Sequence, residues 1–148
     1  MLGYVCKYTP MELFEAMDTE ITRLEPSVTD FNHADTLMHA NICSYTKAVL
    51  EDVMEHDYEG VILTTCCDSI RRLYDTLKSQ FPDKFFFLLD IPRKFNDFAV
   101  TLYERQLKQM LTEYEAFSGK TLDLKRFVSM MQNKAALKKQ ENTRMSAL

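Results

Sequence analysis

Four cysteines carry the chemistry that packing alone explains least: Cys6, Cys43 and the adjacent pair Cys66-Cys67. A thiolate is a nucleophile, a redox group and a ligand for iron or zinc. Cys66 and Cys67 fall between an apolar strand pattern ending at Thr65 and a helix that Asp68 or Ser69 can cap; Cys43 precedes the helix opening at Ser44 in the same manner. A thiol placed there meets free backbone N–H groups and the positive end of the helix dipole, and both favour its ionised form. No CxxC pair occurs, so the spacing matches no zinc finger. Adjacent cysteines chelate a single ion poorly, so one of Cys66 and Cys67 is expected to be the primary ligand. Cys6, inside an expected strand, reads as a small buried hydrophobe.

Other polar groups are less specific. His39 lies four positions before Cys43 and suits a group that tunes a metal or shuttles a proton, or an ordinary capping histidine. His33 and His56 read as ordinary surface residues. Arg71-Arg72 open a helix beside the cysteine pair, and Arg93-Lys94 follow another strand. Guanidinium forks suit phosphates, and they equally suit ion pairs with an acidic body.

The composition closes several classes. Three glycines, Gly3, Gly60 and Gly119, lie too far apart for a dinucleotide fingerprint, a phosphate loop or a nucleophile elbow. Residues 1–119 hold eleven basic and twenty acidic residues, net −9; residues 120–148 hold seven and two, net +5. An acidic body argues against nucleic acid as a partner. The longest apolar run, Phe85 to Leu89, falls far short of the ~20 residues of a membrane span, and the first residues lack a secretory pattern. A soluble, cytoplasmic protein with reduced thiols is expected.

The elements that must position the cysteines follow from periodicity. Leu2–Cys6 reads as a strand, followed by a capping box at Thr9-Pro10-Met11-Glu12 that opens a helix to about Met17. Ile21–Leu24 gives a second strand, and Pro26–Asn32 a polar loop. A helix is expected over Ser44–Glu55, a buried strand over Val61–Thr65, a helix through Ile70, Leu73, Tyr74 and Leu77, and a strand over Phe85–Leu89. The apolar period from Phe95 to Tyr114 predicts a long helix that Ser118-Gly119 stops, and a last helix starts near Thr121. Strands alternating with helices predict an α/β fold, a parallel sheet with helices on both faces. We divide the chain into an α/β body, 1–119, and a C-terminal helix with a frayed basic tail, 120–148. That helix, whose apolar face thins after Ala135, is expected to pack loosely and to offer a surface for a homodimer.

Three stretches bring a family into view. Met38-His-Ala-Asn-Ile-Cys-Ser-Tyr-Thr-Lys47, Leu63-Thr-Thr-Cys-Cys-Asp-Ser-Ile-Arg-Arg-Leu-Tyr-Asp75 and Leu89-Asp-Ile-Pro-Arg-Lys94 resemble the 2-hydroxyacyl-CoA dehydratase family in its D-component branch, which includes benzoyl-CoA reductase subunits and double-cubane cluster proteins. The opening Gly3-Tyr-Val-Cys-Lys-Tyr-Thr-Pro-Met-Glu-Leu13 and the Ser118-Gly-Lys120 turn are similar to it too, so the likeness runs from about Leu2 to Asn142. It implies a Rossmann-like domain holding an oxygen-sensitive [4Fe-4S] cluster. It further implies a second dehydratase subunit, an ATP-dependent iron–sulfur activator protein, and an acyl-CoA substrate that loses water through a ketyl radical anion, a lyase reaction. Cys43 matches the cluster cysteine of the Asn-Ile-Cys-Ser-Tyr motif, and Cys67 the one before Asp68-x-x-Arg71-Arg72. Cys66 stands as a helper ligand, with His39, Ser44, Asp68 and Arg71 around the cluster. Family subunits draw a further cysteine from a second α/β domain, and none follows Cys67 here, so the chain reads as the N-terminal half of a subunit. The competing readings are a cluster-free docking module of the same origin, a double-cubane-type reductase fragment, and a thiol-redox protein using Cys66-Cys67. The last suffers from the strain of a disulfide between neighbours.

Overall fold

The computed structural model describes residues 1–146, with side chains through Lys139. Ala147 and Leu148, the expected frayed end, lie outside the described residues. In chain order the elements are β1 (Leu2–Tyr4), α1 (Met11–Glu15), β2 (Ile21–Arg23), α2 (Asn32–Leu37), α3 (Ser44–Glu55), β3 (Gly60–Thr64), α4 (Asp68–Gln80), β4 (Phe85–Leu89), α5 (Asp97–Ser118) and α6 (Leu124–Ser146). The four strands form one parallel sheet in the order β2-β1-β3-β4, as an α/β reading requires.

Alternation along the strands divides the core between two faces. Val61, Leu63 and Phe86 pack with Val49, Leu50, Val53, Ile70, Leu73 and Leu77, so α3 and α4 share one face with α2. Leu2, Tyr4, Ile62, Phe85 and Phe87 pack with Leu13, Phe14, Met110 and Tyr114, which places α1 and α5 on the other. The first crossover leaves β1 toward β2, and the later ones lead to β3 and then β4, so the chain reverses its direction between β1 and β3. In open parallel sheets ligands sit at the carboxyl ends of the strands beside that reversal.

Several expectations need correction. The capping box is not formed: Pro10 occupies the cap position, the buried Thr9 hydroxyl has no partner among the described residues, and Glu12 pairs with Lys134 instead. The helix stops at Glu15 because Asp18 turns the chain with φ 54°. β1 ends at Tyr4 rather than Cys6, since the Cys6 carbonyl accepts the Thr9 N–H and closes a turn. Asn32 opens the short α2, whose periodicity is too brief to read from sequence; the Glu51 carboxylate holds it by accepting from the Ala34 N–H and meeting His33 Nδ1. Phe95 precedes α5, which starts at Asp97 with the Asn96 side chain as cap. Gly119 stops α5 at φ 72°, as its position predicts. α6 starts at Leu124, where Asp123 Oδ1 accepts from the Lys125 and Arg126 N–H groups.

α6 lies against α1 through charge more than through its apolar residues. Lys134 Nζ is 3.0 Å from Glu12 and 3.3 Å from Glu15, and Arg126 pairs with Asp18, while Leu124, Val128, Met131 and Leu137 are exposed. Phe127 packs into the α1–α5 core.

Gly60 opens β3 opposite Phe85, and a Cβ there would stand 1.9 Å from the Phe85 carbonyl oxygen. Gly60→Ala is therefore expected to cost ~1–3 kcal/mol through forced separation of β3 and β4. Gly3→Ala, which meets only the flexible Leu24 side chain at 3.1 Å, should cost less. Urea denaturation checks this as a larger fall in midpoint for Gly60→Ala at unchanged slope.

Candidate functional site

Parallel strands joined by right-handed crossovers run their helices back, so both α3 and α4 begin at the carboxyl edge of the sheet. Cys43 occupies the cap position of α3 and Cys67 that of α4, each with an extended backbone and an exposed side chain. Asp68 is thus the first residue of α4, beside Ser69, and neither is its cap; Ser44 is the first residue of α3. Cys66 sits in the turn from β3 to α4, its N–H bonded to the Thr64 carbonyl at 2.7 Å.

The two helix starts meet. Cys43 Sγ lies 3.1 Å from the Thr46 hydroxyl, one turn along its own helix. The Ser69 hydroxyl of α4 also reaches that sulfur. Burial opposes ionisation of Cys43, but the Thr46 hydroxyl and N–H, the Ser69 hydroxyl and the Tyr45 N–H outweigh it and hold the thiol below its ordinary value. Cys66 goes the other way: burial pushes it up, the Thr64 hydroxyl offsets part of this, and the neighbouring Cys67 and Cys6 charges raise it further. Tyr45, on the first turn of α3, is raised by burial and senses both Cys66 and Cys6. Cys6 is half-buried in the loop two residues past β1, not in a strand.

His39 is exposed, and its Nδ1 accepts from the Asn41 N–H at 3.2 Å in the turn leading to Cys43. Its remaining ring nitrogen, Nε2, therefore carries the proton. Arg72 pairs with Asp75 at 3.5 Å. Among the described residues Arg71, Arg93 and Lys94 make no ion pair. His33 and His56 have local carboxylate partners, Glu51 and Asp52. A cavity of about 360 Å³ opens beyond β4, lined by Tyr8, Ile91, Arg93, Phe95, Val100 and Tyr103. Tyr103 is raised by burial and by the charge of Cys6.

Sequence reasoning missed Thr46, Ser69, Tyr45, Thr64 and Tyr103. Thr46 carried a usable signal, because a hydroxyl three residues after the cap position has capping-box spacing. Tyr103 and Thr64 are brought in by tertiary packing and had none.

The family model described as 2-hydroxyglutaryl-CoA dehydratase, D-component, matches residues 6–145. The chain belongs to that family. No curated protein matches the chain. Membership in the D-component family implies a 2-hydroxyacyl-CoA dehydratase-like subunit that works with a partnering component. No described helix is long and apolar enough to cross a membrane.

Whether a cluster suits this D-component edge turns on its donors. Among the described residues no group of three His, Cys, Asp or Glu is arranged to hold a metal ion. A cubane asks for thiolates spread over separate irons, not gathered on one ion. Exposed thiols on two helix N-termini, one held toward its thiolate form by hydroxyl donors, are donors of that kind.

Because Thr46 favours the Cys43 thiolate, Thr46→Val should move the pH profile of Cys43 alkylation to higher pH, leaving that of Cys66 in place. In the parent protein Cys43 should react with iodoacetamide at lower pH than Cys66. Peptide-resolved mass spectrometry across a pH series reads both.

Proposed function

We propose that this D-component-family chain is the iron–sulfur-holding part of a 2-hydroxyacyl-CoA dehydratase-like enzyme, with Cys43 and Cys67 holding a [4Fe-4S] cluster and Cys66 beside them. The observation that supports it is the meeting of two cysteine-led helix starts, where the Ser69 hydroxyl of α4 reaches the Cys43 sulfur of α3. When bound, such a cluster supplies the single electron that lets a 2-hydroxyacyl-CoA lose water by a radical route.

The chain's own residues do the holding and orienting. The free N–H groups and positive dipole ends of α3 and α4 offset the negative charge of the thiolates. Thr46 and Ser69 donate to the Cys43 sulfur, and such hydrogen bonds set how easily a bound metal is reduced. His39 holds a proton on its exposed Nε2 just before Cys43. Arg71, Arg93 and Lys94, without ion pairs among the described residues, present cations for the phosphates of CoA, and the apolar cavity at Tyr8, Ile91 and Val100 suits an acyl chain. The partners in this reading are a second dehydratase subunit, an ATP-dependent iron–sulfur activator and the acyl-CoA. The compartment is the reducing cytoplasm.

A second reading, a docking module without a cluster, is favoured by the aromatic surface at the same edge: Phe95 is 97 % exposed and Phe98 77 %.

Anaerobic incubation with ferrous iron and sulfide separates the two. Under the cluster reading the parent protein acquires iron, acid-labile sulfide and the broad absorption of a cluster, and Cys43→Ser or Cys67→Ser lowers all three. A Cys43→Ser, Cys67→Ser double variant that loads like the parent overturns the ligand assignment. A parent protein that takes up no iron leaves the docking module as the function.

A further inference from the structure

The sheet has an open side at β4. Its order makes β4 an edge strand, paired with β3 alone. In a parallel pair, alternate residues direct both their N–H and C=O groups to the same neighbour. The Phe85 N–H donates to the Glu59 carbonyl at 2.9 Å, and the Leu89 carbonyl accepts from the Thr65 N–H at 3.0 Å. Phe85, Phe87 and Leu89 thus spend their backbone groups on the β3 side, and those of Phe86 and Leu88 point away from the sheet. Asp90 continues that alternation and shows what the open side accepts. Its N–H donates to Gln106 Oε1 of α5 at 2.8 Å, and its carbonyl accepts from Gln106 Nε2 at 3.4 Å. One side-chain amide stands where a neighbouring strand would pair. Phe86 and Leu88 have no such partner among the described residues.

The space beside that edge has room for a chain. A cavity of about 470 Å³ opens between Tyr74 and Lys78 of α4 and Arg105, Gln109 and Glu113 of α5, with Leu88 of β4 in its lining. α4 and α5 cover opposite faces of the sheet, so a cavity that touches both lies along the β4 edge. Natural edges are guarded by charges, a proline or a bulge, whereas Phe85-Phe-Phe-Leu-Leu89 carries neither charge nor proline. The charged groups around the edge are unequally occupied. Lys78 donates to the Tyr74 hydroxyl and senses Glu113, Glu113 accepts from Gln109, and the Asp90 carboxylate accepts from the Thr65 hydroxyl. Arg105 makes no ion pair among the described residues.

We propose that the β4 edge is a docking site for an extended segment of a partner protein, apolar and carrying a carboxylate. The segment adds a fifth strand to the four-stranded sheet. Its backbone pairs with the N–H and C=O groups of Phe86 and Leu88, and its carboxylate meets Arg105. In such strand addition main-chain bonds supply the affinity, and the pockets for alternate side chains supply the specificity. Gln106 closes the edge at Asp90, which confines the pairing to those two residues and puts the carboxylate, at neighbouring Arg105, toward the carboxyl end of β4. The proposal goes beyond the cluster reading and does not depend on it.

The test uses the full chain and a pair of short, fluorescently labelled, end-blocked peptides, one alternating valine with glutamate and the other alternating valine with lysine. Fluorescence anisotropy reads binding, and amide hydrogen exchange resolved by NMR reads its place. The glutamate peptide should bind and should slow exchange at Phe86 and Leu88, which in the free protein exchange faster than Phe87 and Leu89. Arg105→Glu should weaken that binding about fivefold and turn the preference toward the lysine peptide. Leu88→Pro removes an N–H that faces away from the sheet, so it should lose the peptide and keep the fold. Should that variant not fold, exchange in the parent decides alone. A glutamate peptide that does not bind, one that binds without slowing Phe86 and Leu88, or a lysine peptide that binds the parent equally well overturns the proposal. So does a parent that sediments as a dimer and a Leu88→Pro that sediments as a monomer, because a second copy then fills the edge.

Discussion

The pairing of β1 with β3 is the contact on which the carboxyl edge depends. The chain leaves β1 through α1 toward β2 and leaves β3 through α4 toward β4, so the two middle strands send their connections apart. Right-handed crossovers then put α1 and α5 on one face and α2, α3 and α4 on the other. α3 and α4 are left side by side with both N-termini at the same end of the sheet. That arrangement brings Cys43 within reach of Ser69, although 26 residues separate them. It also leaves the loops after β1 and β3, which carry Cys6 and Cys66, facing each other with no crossover between them.

Within that edge the thiols are not equivalent, and the difference is local. Cys43 meets burial that opposes its ionisation, but its hydroxyl and N–H donors on two helices together outweigh it, so its thiolate is favoured. Cys66, one residue away from Cys67 and across from Cys6, meets burial and like charge together, and its thiolate is disfavoured. An arrangement that eases the ionisation of one thiol and opposes that of its neighbour suits a site loaded in stages. A cation arriving at the exposed Cys43 lowers the cost of ionising the next sulfur, because opposite charge nearby favours the charged form.

Much of this was legible in the residues, and the failures have physical causes. α3 and β4 fall where their periodicity put them, at Ser44–Glu55 and Phe85–Leu89, because a strong apolar pattern and a Gly60 boundary leave little choice. The position of Cys43 followed from α3, and that of Cys67 from the β3 and α4 patterns. Cys6 was misread because a three-residue strand and a five-residue one look alike in sequence; what ends β1 is the Cys6–Thr9 turn, a backbone bond that composition does not announce. The capping box at Thr9 failed for a tertiary reason: Glu12, its expected partner, is drawn outward to Lys134 on α6, far along the chain. α2 escaped notice because it is held by the Glu51 carboxylate of α3, not by its own period.

The exposed aromatic side chains gain their meaning from where the edge lies. Tyr8, Tyr45, Phe95 and Phe98 are all exposed, and all sit at or just beyond the carboxyl ends of the strands. On α5 itself only Met110 and Tyr114 are buried. An apolar rim around a polar centre is what an interface needs, since desolvation on docking strengthens the electrostatic contacts it encloses. In the cluster reading one covering partner serves two purposes. It buries the ring of aromatics, and it takes water and oxygen away from sulfurs that the isolated domain leaves open, so that the environment tuning the iron is completed only when the surface is occupied.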